Sequence, residues 1–383
     1  LQDEITREIV AQVRRHFGVD VADPAAARLP TKDVEAYRLY LQALEANARG
    51  GKEELVRSVT LLEEATARDP GFALAYAALS TPRSLLYLRG YGGTLESLRL
   101  AEREVDHALE LDPDLTEAHM SRAFLKANRG EWIEARKSLD RAAMTGANRE
   151  MLLLGTAFAI TAMGHLGWMQ GIIHRVDRGH VAEASTAMGL ATQEFVLGET
   201  PAARQHAELA ESLGFGSKVP PLPMLLGLID LRDGRFKDAS DRFVDGLSPG
   251  FRAIGAEPVV RQVSAAFENP TGSAAASVAL GKLVGRAGNK DLIQMETVLV
   301  LIWQTRLGAL DAAYQWADSL AASYDRSRVG RGILYWIWID EMQPFRQDPR
   351  FQKFTEALGL LDYWKQYGPP DKCKFESERL ICN

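Results

Sequence analysis

Eight glycines, Gly50, Gly92, Gly130, Gly164, Gly198, Gly234, Gly272 and Gly308, follow one another at 42, 38, 34, 34, 36, 38 and 36 residues, a mean of about 37. A period in this range marks a repeat array, in which each unit is one supersecondary element that buries its apolar face against its neighbours. With 32 glycines in the chain a series can be picked out by selection, so the test is whether other positions keep phase with it. They do. A small residue stands seven positions before the glycine in six units (Ala43, Ala123, Ala157, Ala191, Gly227, Ala265), and alanine stands five positions after it in four (Ala135, Ala203, Ala239, Ala313). Around Gly130, apolar residues recur at helical spacing on both sides: Met120, Phe124 and Leu125 before it, Trp132, Ala135 and Leu139 after it. Each unit therefore reads as two helices joined at the glycine, with the phased small residues letting the paired backbones approach closely. Asp69-Pro70 and Asp112-Pro113 punctuate the ends of second helices, because proline disfavours a helical residue before it and is tolerated at a helix start. The expected fold is all-α, an α-solenoid of about eight helical hairpins.

Composition supports a folded chain and narrows its chemistry. Of 383 residues, 46% are apolar and 25% charged, which is ordinary globular composition. A net charge of −6 gives no general electrostatic reason to bind nucleic acid. The most apolar stretch, Met151 to Met163, falls short of a membrane span and contains two threonines and a glycine. The sequence opens at Leu1 and enters a helical pattern at once, which reads as a fragment of a longer protein.

The small residue, the Gly-x-[aromatic or Leu]-x-x-Ala turn and the Asp-Pro ending resemble tetratricopeptide repeats over residues 31 to 343, well around Gly130, Gly198, Gly234 and Gly308 and poorly around Gly92 and Gly272. Two flanking segments narrow the resemblance. The stretch from Leu1 to Val10 with Ala36 to Leu41 is similar to the junction between a TolB-like α/β domain and the repeats behind it in bacterial signalling proteins. Pro344 to Phe351, Gly359 to Trp364 and the cysteine-bearing tail are similar to the ending of those proteins. The resemblance implies a sensory or regulatory region that serves an N-terminal cyclase or winged-helix output domain.

Three segments are expected. Residues 1–30 hold an amphipathic helix, with Ile5, Ile9, Val10 and Val13 on one face, and a linker from a preceding domain, the alternative being that the helix caps the first repeat. Residues 31–343 hold the array, with a loop insertion near Tyr87 to Thr94 and an interruption from Ser248 to Glu257. Residues 344–383 hold a helical cap, with Phe351, Phe354, Leu358, Tyr363 and Trp364 as capping side chains, and a tail.

Signals for chemistry are weak. Seven histidines, at 16, 107, 119, 165, 174, 180 and 206, show no metal-ligand spacing, and only His174 and His180 straddle a common turn. No nucleophile elbow or nucleotide loop is present, and the glycine-rich stretch Gly281 to Gly288 lies in a helical pattern. No enzyme activity, metal or cofactor is expected. Both cysteines lie near the end of the chain. If the tail folds as a hairpin with Ser377-Glu378 as its loop, Cys373 faces Cys382 in a non-hydrogen-bonded pair, where side chains are closest. A Cys373–Cys382 disulfide is then natural and implies an oxidising compartment such as the periplasm. Ser-Glu is a poor choice for so tight a turn, which leaves two free thiols in a frayed tail as the alternative.

The resemblance also implies a binding groove, lined by the first helix of each unit at 13, 10, 6 and 3 residues before the glycine. In the central units these positions read Met120, Phe124, Met151, Leu154, Phe158, Met188, Phe195, Met224 and Leu228. A Met/Phe groove suits a peptide, a protein or a small apolar ligand; a tight superhelix that fills its own groove is the alternative. The expected function is a non-catalytic protein-interaction or ligand-sensing region of a bacterial signalling protein, on the periplasmic side of a membrane-anchored protein or else cytoplasmic. The rival is a stand-alone scaffold that assembles cell-envelope complexes.

Overall fold

The computed structural model describes residues 30–49, 51–88, 91–144, 157, 159–174, 181, 184–215, 221–291, 294–323 and 333–383. The amphipathic segment 2–17, with Met151, Leu154, Phe158, His16 and His180, lies outside the described residues.

The described residues form an all-α solenoid of helical hairpins. The pairs are α1 (Val34–Arg49) with α2 (Lys52–Arg68), α3 (Ala73–Leu88) with α4 (Leu95–Leu111), and α5 (Thr116–Asn128) with α6 (Trp132–Met144). In the fourth hairpin the first helix is described at 157 and 159–162 and the second is α7 (Leu166–Ile173). Then follow α8 (Ala184–Val196) with α9 (Thr200–Ser212), and α10 (Leu222–Arg232) with α11 (Phe236–Asp245). A short α12 (Pro249–Ala253) precedes α13 (Ala256–Glu268) with α14 (Ser273–Asp291), and α15 (Gln294–Arg306) with α16 (Leu310–Ser323) closes the array.

The phased residues do what their spacing predicts in most units. Gly92, Gly130, Gly164, Gly198, Gly234 and Gly308 all take positive φ, between 72° and 92°, the region that favours glycine. The alanines before and after them, Ala43, Ala123, Ala191, Ala135, Ala203, Ala239 and Ala313, are completely buried. At Ala43 the small side chain lets Ser58 of the partner helix reach its carbonyl at 2.9 Å. The unit at Gly272 departs from the pattern. Its turn is a 3-10 segment, Pro270–Gly272, and its phased residue Ala265 is exposed while the next residue, Ala266, is buried. Asp69 and Asp112 stop α2 and α4 as expected: both are extended, with φ of −128° and −141°, and their carboxylates accept from Gly71 and Asp114. The interruption after Ser248 is itself a short helix, capped by the Ser248 hydroxyl, which accepts from Phe251 N at 3.2 Å.

Ion pairs stitch successive helices. Arg83 of α3 reaches Glu63 of α2 and Glu104 of α4, Arg122 of α5 reaches Asp106, and Arg129 reaches Glu102. On the inner side the array turns tightly, so that α1 touches α8, four hairpins further on.

The C-terminal segment is built from α17 (Ile333–Trp336), a 3-10 turn at Asp340–Met342, α18 (Gln343–Gln347), α19 (Arg350–Ala357), α20 (Leu360–Tyr367) and a hairpin of β1 (Cys373–Glu376) and β2 (Arg379–Cys382). The hairpin register is Cys373↔Cys382, Lys374↔Ile381, Phe375↔Leu380 and Glu376↔Arg379, and the two cysteines are joined as a disulfide. Ser377, the first of its two loop residues, carries a φ of 57° where glycine is usual. No helix among the described residues is long and apolar enough to cross a membrane.

Candidate interaction surface

The C-terminal segment does more than cover the last hairpin. It rests on α16, where Tyr314 stacks on Phe345 with ring centroids 4.2 Å apart and Arg350 pairs with Asp311. From there it continues as a strap across the turns of the middle hairpins. Trp132, beside the Gly130 turn, donates through its indole to the carbonyl of Leu358 at 2.8 Å. Trp364 donates to Met163 O at 2.8 Å, and Trp338 to Ala162 O at 3.4 Å. Asp371 N donates to Gly164 O at 3.0 Å, and its carboxylate accepts from Gly167 N at 2.6 Å. A Cβ on Gly164 would lie 2.3 Å from Pro370 and 2.8 Å from the Trp338 ring, so this glycine permits close approach as well as the turn. Further along, Arg232 of the sixth hairpin lies 3.8 Å above the Phe195 ring of the fifth and grips Glu341 with two bonds of 2.6 and 2.8 Å. The five capping side chains named from the sequence, Phe351, Phe354, Leu358, Tyr363 and Trp364, are all buried in this contact or beside it. Ile333 to Met342, ahead of the expected boundary at 343, belongs to the strap by its contacts. The run Tyr335-Trp336-Ile337-Trp338 was the sequence signal for this, four large apolar residues in a row without a hairpin of their own.

Electrostatics follow burial. Arg346 is 3% exposed, and burial pulls its pKa down to about 10; its guanidinium donates to Ile337 O, Ile339 O and the main-chain oxygen of Asn383. His165 and Tyr363 meet at 2.6 Å, with Arg136 donating to the same phenol oxygen at 3.4 Å. Burial holds His165 below its ordinary pKa and pushes Tyr363 up to about 12.

The Met/Phe stripe expected to line a groove is largely interior. Met120, Met188, Phe195, Met224 and Leu228 are at most 7% exposed, and Phe124 is half-buried. Phe195 is covered by Arg232 and Trp336, which shows how the array and its strap fill this part of the inner surface.

Besides His165, the described histidines have these partners: His107 Glu110, His119 the Pro113 carbonyl, His174 Glu199, and His206 the buried Glu194. Among the described residues no group of three or more His, Cys, Asp or Glu is placed to hold a metal ion. Asp230, buried, gathers Arg204, Arg235 and Arg242, a cluster that ties α9, α10 and α11 together.

The first hairpins differ from the rest. Leu41 and Leu44 of α1 and Leu74 and Ala78 of α3 are half-buried and pack on one small core with Tyr37, Tyr40 and Phe72. Residues 31–117, which span these hairpins, contain ten basic and sixteen acidic side chains, so they account for the whole net charge of −6. This partly open apolar set lies within an acidic stretch of the chain.

No protein-family model matches the chain, and no curated protein matches it. Among solved structures, the chain is similar to PilW, a widely conserved type IV pilus biogenesis factor, with a TM-score of 0.33 and 16% identity over 78% of this chain and 97% of that one. It is also similar to the TPR domain of P58(IPK), with a TM-score of 0.24 and 13% identity over 86% of this chain and 99% of that one. Likenesses at these scores do not bear on function.

Proposed function

We propose that this array of tetratricopeptide-like hairpins is a non-catalytic protein-interaction scaffold, and that its partner is a peptide segment with apolar side chains flanked by lysine or arginine. The observation that carries the reading is the set of half-buried side chains Leu41, Leu44, Leu74 and Ala78, packed on one small core within residues 31–117, whose ten basic and sixteen acidic side chains sum to the chain's net charge of −6. An apolar strip supplies affinity, and the acidic surround steers a basic partner and rejects an acidic one. The central Met/Phe positions serve as the inner packing that holds the scaffold in shape.

The resemblance of the flanking segments to bacterial signalling proteins supports placing this scaffold behind an output domain, as a regulatory region on the periplasmic side of a membrane-anchored protein. The Cys373–Cys382 disulfide supports an oxidising compartment. A stand-alone envelope scaffold is the rival reading.

Two synthetic amphipathic peptides with the same apolar residues, one lysine-rich and one glutamate-rich, test the proposal by fluorescence anisotropy. The basic peptide should bind, more weakly as salt is raised, and Leu44→Gln should weaken it by about tenfold, the loss of one good apolar contact. Equal binding of both peptides, or of neither, would contradict the reading.

A further inference from the structure

The strap ends in a hairpin whose strands are four residues each, and a two-stranded hairpin of that size is marginal on its own. Its loop adds no help, because Ser377 takes a positive φ that an L side chain disfavours. The hairpin nevertheless carries much of the strap's outermost hold. Just before β1, Asp371 is bonded to Gly164 and Gly167, and Lys372 Nζ donates to Trp338 O and to Asp340, each at 2.8 Å. Just after β2, Asn383 N donates to Lys372 O at 2.8 Å and its main-chain oxygen accepts from the buried Arg346. On the β2 strand itself, Leu380 N donates to Gln352 Oε1 at 2.9 Å. Both ends of the anchor therefore meet at one covalent link, between a half-buried Cys373 and a buried Cys382.

We propose that the Cys373–Cys382 disulfide is a redox-operated clasp: oxidised, it closes the end of the strap over the Gly164 turn of the fourth hairpin, and reduced by a dithiol it lets residues 371–383 leave that turn. The more accessible sulfur is that of Cys373. A thiolate of the dithiol attacks it, the Cys373–Cys382 bond breaks, and Cys382 departs as a thiolate that takes up a proton. The second thiolate of the reductant attacks the mixed disulfide, Cys373 is freed as a thiol, and the reductant leaves as its own disulfide. Two electrons and two protons pass from the dithiol to the chain. Closing a loop of this size by a cross-link favours the closed form by about 100-fold on chain entropy, and reduction gives that up. The opening is local, because Trp364, Tyr363 and the Leu358 carbonyl hold α20 and the end of α19 on Met163, His165 and Trp132 independently of the hairpin.

Hydrogen–deuterium exchange on the full chain, with and without dithiothreitol and after reoxidation, tests this. Two thiols should appear on reduction, and the amides of Asp371, residues 373–382 and Gly167 should lose at least about tenfold protection while those of α1 to α4 and α8 to α11 keep theirs. Reoxidation should restore them, and the C373S/C382S double variant should show the open pattern without reductant. Unchanged protection after reduction would overturn the clasp, as would loss spread through all the hairpins, or a disulfide that dithiothreitol does not reduce in the folded protein. None of these readouts depends on a partner, so they are independent of the peptide-binding proposal.

Discussion

His165, Tyr363 and Arg136 set the polarity of the contact between strap and array. Arg136 donates to the phenol oxygen, which leaves the phenol proton directed at His165 Nε2, and that bond requires the neutral imidazole. Burial lowers the His165 pKa below 6.5, with Asp371 opposing and Arg136 adding to the effect. The unfolded chain thus binds the proton more readily than the folded one. The stabilisation is complete above about pH 6.5 and is lost as pH falls through 6.5 towards the folded value. Urea unfolding at pH 7.5 and pH 5 should show a larger loss of stability in the parent than in His165→Gln, in which the titrating group is gone and the other carboxylates and histidines are unchanged. Equal losses would show that His165 does not couple strap docking to pH.

At the scale of the element, the glycine and alanine positions have different reasons for being small, and the structure separates them. Gly227 stands in α10 where a Cβ would lie 2.6 Å from the Phe243 ring, so the residue is small because a facing helix needs the space. Gly281 stands in α14 with nothing within 4 Å. Gly227→Ala should therefore cost about 1–3 kcal/mol through overpacking. Gly281→Ala should stabilise by about 0.5–1 kcal/mol, because it removes backbone freedom from the unfolded chain and meets no obstacle. Denaturant midpoints of the two variants, moving in opposite directions, check this.

The hairpins were legible in the sequence for the same reason. A repeat imposes the same local demand many times, so Gly130 and Ala135 could be read against Gly198 and Ala203, and the poor fit at Gly272 announced its 3-10 turn. The tail was legible because strand pairing has a period of two, and counting outward from Ser377-Glu378 gives the observed register. The side chains of the strap were legible, but not where they dock. Trp132 and Leu358 are 226 residues apart and bond once, with no periodicity to flag them. Whether Phe195 meets a ligand or Trp336 depends on the curvature of the whole array, which no single unit specifies.

At the scale of the molecule, the chain is a solenoid whose curvature is held from two sides. On the inside, α1 reaches α8; along the turns, the strap joins the last hairpin to the third, fourth, fifth and sixth. An open array bends at every interface, since each unit touches only its neighbours. Long-range ties of this kind remove that freedom and leave a stiff body. A rigid surface loses little entropy when it binds, so the stiffness would favour the proposed peptide partner.

The tie between Arg232 and Glu341 tests this account most directly, because it joins the array to the strap across 109 residues and both side chains are largely buried. A double-mutant cycle with Arg232→Gln, Glu341→Gln and the double variant, read by urea unfolding, isolates their coupling. A docked strap predicts a favourable coupling of about 1–3 kcal/mol. A coupling of zero, with both single variants near the parent, would mean that the strap does not rest on these turns and that the solenoid is free to bend.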